Sequence, residues 1–196
     1  MIELEKFCHE SKEIIGKPWS AGDYSYATDG FLAVRVPRES YIPENSDAPD
    51  MSKLLWDHES LNDWQSLPVY DLAALKDCTL CKGTKKARRC YECDGDGELT
   101  VESHYHEYDV TCKSCRGQGT LPGDPEDDED PVCDRCAGTG KSASPIGWGA
   151  GFVSTKMLEK IKDLPAVKMS LSGNGRECWR FIFIGGVGIV MPMMGA

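Results

Sequence analysis

Eight of the ten cysteines in this 196-residue chain fall into four copies of one short pattern, Cys-x-x-Cys-x-Gly. The copies begin at Cys78, Cys90, Cys112 and Cys133 and close their pairs at Cys81, Cys93, Cys115 and Cys136. A Cys-x-x-Cys turn aims two sulfurs at one point, and two such turns complete a tetrahedral site for a soft divalent ion, best suited to zinc. Four pairs therefore predict two all-thiolate centres and two zinc ions. Glycine follows every pair at Gly83, Gly95, Gly117 and Gly138, and a second glycine follows in three copies, at Gly97, Gly119 and Gly140. Lys85 stands where the first copy would have its second glycine. Backbone that wraps a thiolate needs positive φ and N–H groups aimed at sulfur, which glycine permits without a Cβ clash.

Spacing divides the pairs between the two centres. Residues 98–111 alternate Leu99, Val101, Ser103, Tyr105 and Glu107 against polar neighbours, a hairpin pattern. A hairpin there brings the second copy beside the third and leaves the first to meet the fourth. The expected ligand sets are Cys90, Cys93, Cys112 and Cys115 for one zinc, and Cys78, Cys81, Cys133 and Cys136 for the other.

The four Cys-x-x-Cys-x-Gly-x-Gly repeats resemble the cysteine-rich zinc domain of DnaJ-class co-chaperones, and the run Gly117-Gln-Gly119-Thr-Leu121 is especially similar. The likeness covers about a third of the chain. It implies a finger that binds protein partners or unfolded segments. No His-Pro-Asp tripeptide occurs, so the ATPase-stimulating J domain of those proteins is missing.

Other roles for the cysteines fit less well. Cysteine is about 5% of the chain, below the range of disulfide scaffolds. No basic-then-apolar leader opens the sequence, and a cytoplasmic setting is expected. Redox Cys-x-x-Cys motifs normally occur singly, whereas each pair here has a partner. Cys8 and Cys178 read as ordinary apolar residues. His104 and His106 are expected to be solvated on the hairpin, because both centres are four-coordinate without them.

The net charge of −10 is uneven: −8 over residues 1–77, −6 over 78–140 and +4 over 141–196. Each four-thiolate zinc centre adds about −2. A general grip on nucleic acid needs clustered cations and is not favoured. The local exception is a basic loop of Lys82, Lys85, Lys86, Arg88 and Arg89. Asp124 to Asp130 holds six acids and reads as an exposed, disordered tip. The uncharged run from Phe181 to Ala196 is sixteen residues with four glycines and Pro192, too short and broken to span a membrane.

The flanks carry their own pattern. Residues 2–15 place Leu4, Phe7, Cys8, Ile14 and Ile15 at helical spacing, ended by Gly16 and Pro18. Strands follow at 24–28 and 31–36 around Asp29-Gly30. After a small-residue return loop at 142–151, a second helix puts Met157, Leu158, Ile161 and Leu164 inward and stops at Pro165. Strands at 167–171, 178–184 and 187–193 finish the chain, joined by Asn174-Gly175 and Gly185-Gly186. Ala27-Thr28-Asp29-Gly30 with Leu32 and Ala33 resembles the Ala-Thr-Asp-Gly strand of bacterial sliding-clamp domains, and Val190-Met191-Pro192-Met193 is similar to their C-terminal strand.

The expected fold class is α+β: a clamp-like domain of helix plus antiparallel sheet, formed by both chain ends and interrupted by a two-zinc hairpin finger. Its parts are residues 1–37 as the first half, 38–77 as a connector with one or two short helices, 78–140 as the zinc insert and 141–196 as the second half. No catalytic constellation appears, so a non-enzymatic, protein-binding zinc protein is expected. The clamp likeness supplies the alternative, a DNA-processing accessory; a compact fusion of this kind suits a phage or mobile element.

Overall fold

The computed structural model describes residues 2–9, 14–52, 55, 61–171 and 178–193. It divides into two compact units, the first of residues 1–70 with 144–196 and the second of residues 71–143. In chain order the strands are β1 (Trp19–Ala21), β2 (Tyr24–Thr28), β3 (Leu32–Pro37), β4 (Trp64–Gln65), β5 (Ala87–Arg89), β6 (Glu98–Glu102) and β7 (Glu107–Thr111). They continue as β8 (Thr120–Pro122), β9 (Pro145–Trp148), β10 (Gly151–Ser154), β11 (Lys168–Ser170), β12 (Trp179–Phe183) and β13 (Gly186–Val190). Among the described residues one α-helix occurs, α1 (Thr155–Ile161), with a 3-10 turn at Leu4–Phe7.

The first unit is one antiparallel sheet of seven strands in the order β1-β2-β3-β13-β12-β11-β4. Strands from the two ends of the chain meet where β3 pairs with β13, Val187 opposite Arg35 and Val190 opposite Leu32, and β4 from the middle of the chain closes one edge. Alternation along the central strands puts Leu32, Val34 and Val36 of β3 with Trp179, Phe181 and Phe183 of β12 in the main core. Leu4, Phe7, Met157, Leu158 and Ile161 belong to the same cluster. Each fully buried side chain of this size contributes roughly 1.5–3 kcal/mol. A smaller cluster holds Trp19, Tyr26, Ala33, Leu55 and Ile189, so β3 and β13 are lined on both faces.

This corrects the α+β, clamp-like expectation. The protein is mostly β: among the described residues its helical content is one seven-residue helix and a single 3-10 turn, too little to form a layer against the sheet. Of the helix expected over residues 2–15, the described residues form only the 3-10 turn Leu4–Phe7; the backbone N–H of His9 donates to the Ile15 carbonyl, which a helix running through both could not allow. Leu4, Phe7 and Cys8 match helical spacing because one turn suffices to place them. Ile14 is exposed, and Glu10 and Lys12 lie outside the described residues.

The Ala-Thr-Asp-Gly motif forms the β2–β3 turn. The Asp29 carboxylate accepts from the N–H groups of Phe31 and Leu32, both at 2.8 Å, and pairs with Lys160 Nζ of α1 at 2.6 Å, with both side chains largely buried. The return loop proves to contain the hairpin β9–β10, with Trp148 Nε1 donating to the Ser170 carbonyl. In the connector, β4 pairs at the sheet edge with β11, Ser20 bridges to Glu44, and Ile42 is buried; no helix occurs among its described residues. Trp56 and the Asn174-Gly175 turn lie outside the described residues.

The second unit is built from two ribbons. β6 pairs with β7, and β5 pairs with β8. Its ends are zipped together: Asp77 bridges Lys141, their side chains pair at 2.9 Å, and the Ser142 N–H donates to the Lys76 carbonyl.

Candidate metal centres

Each cysteine pair sits on a tight turn that the residues after it keep closed. The residue following the second cysteine is left-handed in every copy: Lys82, Asp94, Arg116 and Ala137, with φ of 53°, 49°, 55° and 51°. The glycines after them also have positive φ. The turn then returns its N–H groups to sulfur. Those of Gly97 and Gly119 donate to Cys93 and Cys115 at 3.2 Å, and that of Gly140 to Cys136 at 3.3 Å.

The turns bring the eight sulfurs into two buried quartets, Cys78 with Cys81, Cys133 and Cys136, and Cys90 with Cys93, Cys112 and Cys115. Within each quartet the sulfurs lie within 4.8 Å of one another. Across the facing pairs the Sγ–Sγ distances are 4.0 and 3.8 Å in the first and 3.8 and 3.7 Å in the second. A tetrahedron with bonds of about 2.3 Å has sulfur–sulfur edges of about 3.8 Å. Disulfide bonding needs sulfurs about 2 Å apart, and all ten cysteines are free. The donor set, its burial and its spacing thus fit two zinc ions, each held by four thiolates. Bound there, zinc supplies cross-linking and neutralises thiolate charge.

The two copies in each quartet are related by a local two-fold exchange. The Cys90 N–H donates to the Gly119 carbonyl while the Cys112 N–H donates to the Gly97 carbonyl, both at 2.8 Å. In the other quartet the Cys78 N–H meets the Gly140 carbonyl and the Cys133 N–H meets the Lys85 carbonyl, again at 2.8 Å. This reciprocal contact explains the second glycine. A Cβ on Gly119 would lie 2.2 Å from the Gly95 carbonyl oxygen, and one on Gly97 would lie 2.6 Å from that of Gly117.

Lys85 keeps this backbone without being glycine, at φ 70°, and its N–H still serves Cys81. Two further residues, missed in the sequence, brace this quartet: Thr84 and Thr139 Oγ1 each donate to the carbonyl of the second cysteine, Cys81 and Cys136, at 2.9 Å. Their signal was available, since threonine occupies the same place in copies one and four alone.

Protons are shared unequally within the quartets. At Cys115 burial opposes ionisation, but the Gly119 N–H and the thiols of Cys112, Cys93 and Cys90 donate to its sulfur and hold it at about 7. At Cys112 the Cys115 N–H favours the thiolate, yet burial and the proton shared with Cys115, Cys93 and Cys90 push it up to about 12. Metal loading must displace such protons.

The other candidate residues lie apart from sulfur chemistry. Arg88 and Arg89 are exposed on β5, while Lys86 donates to the Asp127 carbonyl at 2.5 Å and approaches Asp128. The acidic segment is exposed as expected but forms defined turns: the Asp124 N–H donates to the Asp130 carboxylate at 2.7 Å, and the Glu126 N–H to that of Asp124. His104 and His106 are exposed at the β6–β7 tip. Cys8 is buried, and burial pushes its thiol up to about 11. Cys178 is half-buried, 3.3 Å from the Met191 sulfur.

Comparison of the chain with family models, curated proteins and solved structures returns no match. The two quartets define a zinc-binding protein by their own geometry. No helix among the described residues is long and apolar enough to cross a membrane.

Proposed function

We propose that this is a non-enzymatic zinc protein whose finger, residues 71–143, resembles the DnaJ-type zinc module and binds protein partners or extended, unfolded segments. The single observation that carries the reading is the pair of closed four-cysteine quartets. Each ion would have four protein ligands and no open position, the structural form of a zinc site. Such ions make a rigid platform rather than a reaction centre. Around them the finger leaves Tyr91, Tyr105 and Tyr108 at 78%, 84% and 51% exposure, large amphipathic side chains of the kind enriched at protein interfaces.

The test is light scattering of a chemically denatured client diluted into the full-length, zinc-loaded protein. Suppressed aggregation that is lost on chelation is the expected result. No effect at molar excess removes the reading.

A further inference from the structure

The β6–β7 ribbon is a two-stranded sheet with no third strand among the described residues. All of its residues are exposed except Leu99, Val101 and Val110, which are half-buried. Leu99 packs on the Cys90 quartet and anchors the base of the arm. Lone two-stranded ribbons are marginal in water, so this one depends on its metal-held root, or on what it meets at its edges.

Register fixes what each edge offers. At the base the Cys112 N–H donates to the Gly97 carbonyl, and at the tip the Ser103 N–H donates to the His106 carbonyl. Antiparallel pairs alternate between hydrogen-bonded and non-hydrogen-bonded. Between those two bonded pairs, Glu98–Thr111, Thr100–Asp109 and Glu102–Glu107 are therefore the non-bonded ones. The outward-facing N–H and C=O groups of β7 belong to Glu107, Asp109 and Thr111, and those of β6 to Glu98, Thr100 and Glu102.

These six residues also share one face, since side chains alternate along a strand. That face carries four carboxylates, with Glu102 directly opposite Glu107, an arrangement that costs stability. Among the described residues Glu98, Glu102 and Glu107 enter no ion pair. The other face carries half-buried Val101 and exposed Tyr108.

We infer that the ribbon edge is a docking site for an extended, basic protein segment that adds as a third strand, with Lys or Arg at alternate positions. A residue placed opposite Glu107 or Asp109 in an added strand must present its side chain on the acidic face. Its neighbours fall on the Val101 and Tyr108 face. The recognised pattern is thus basic at i and i+2 with apolar residues between, and charge complementarity selects it. A second copy of this chain is a poor occupant, because its own ribbon would set acid against acid. This inference rests on the protein-binding reading and narrows its ligand.

The experiment uses full-length, zinc-loaded protein and fluorescent peptides of alternating Lys-Val, alternating Glu-Val and alternating Thr-Val. Lys-Val is expected to bind most tightly, more weakly as salt is raised, with amide protection appearing at Glu107 to Thr111. Replacing Glu102→Gln, Glu107→Gln and Asp109→Asn together should weaken Lys-Val binding about tenfold, the size of two or three exposed ion pairs, with both zinc equivalents retained. Methylating alternate peptide N–H groups should weaken it too. Equal affinity for Lys-Val and Glu-Val, an unaffected triple variant, or protection elsewhere overturns the inference. Binding of Thr-Val and of denatured client at undiminished strength would do so while sparing the protein-binding reading, whereas failure of every peptide and of the client removes both.

Discussion

The two metal centres share one local design and differ in how the chain closes them. In the Cys90 quartet the facing cysteines are 22 residues apart and joined by the β6–β7 ribbon; in the Cys78 quartet they are 55 apart. On loop length alone the wider closure costs only about 1 kcal/mol more. The larger difference is dependence. Between Cys81 and Cys133 lies the whole Cys90 centre, and β5 pairs with β8 on either side of it. Once that centre and its ribbon form, the remaining gaps are the short segments 82–89 and 116–132. The inner centre closes over the shorter loop, and its formation brings the cysteines of the outer one within short reach of each other.

The strongest way to break this comparison is to take the metal away. Structural zinc supplies on the order of 10 kcal/mol, so chelation should unfold residues 71–143 and leave the seven-stranded sheet intact, as hydrogen exchange resolved by segment would report. Cys93→Ser should lose both ions and Cys136→Ser only one, measured by native mass spectrometry; equal losses would abolish the hierarchy. Next in size is the sheet unit's own buried pair. Lys160→Met strands the Asp29 carboxylate and should cost about 3 kcal/mol of sheet stability with two zinc equivalents still bound.

Smaller effects sharpen the contrast between the centres. Gly119→Ala forces a Cβ against the Gly95 carbonyl and should cost about 1–3 kcal/mol, weakening metal retention at the inner centre. Lys85→Gly relieves a left-handed lysine and should strengthen the outer centre by up to about 1 kcal/mol, read by competition with a chromogenic chelator. Acid distinguishes them least. Zinc requires ionised thiols, so affinity falls at both centres as pH is lowered. Each centre holds at least one thiol on the protonated side, Cys112 in the inner and Cys133 in the outer, both pushed up to about 12 by burial and the protons shared with neighbouring cysteines. Proton release on loading, followed with an indicator dye, should therefore persist at pH 8.

Two four-thiolate sites for two zinc ions were legible in the sequence because thiolate ligation is discrete chemistry. Cys-x-x-Cys fixes two donors locally, the following glycines report a turn too tight for Cβ, and residues 98–111 betray the ribbon that decides which pairs face. Helix α1 and the strands around Asp29-Gly30 were legible too, through Met157, Leu158 and Ile161 at helical spacing and through the Asp-Gly turn signal. The fold class was not. A run such as Leu4, Phe7 and Cys8 has the same spacing in one 3-10 turn as in a long helix, and β4, β9 and β10 are strands only because a neighbouring edge supplies their hydrogen bonds. That both chain ends share an antiparallel sheet was part of the expectation; tertiary pairing alone decided its seven strands and their order, since β1 and β4, three and two residues long, carry too few side chains to declare a period before a partner is in place.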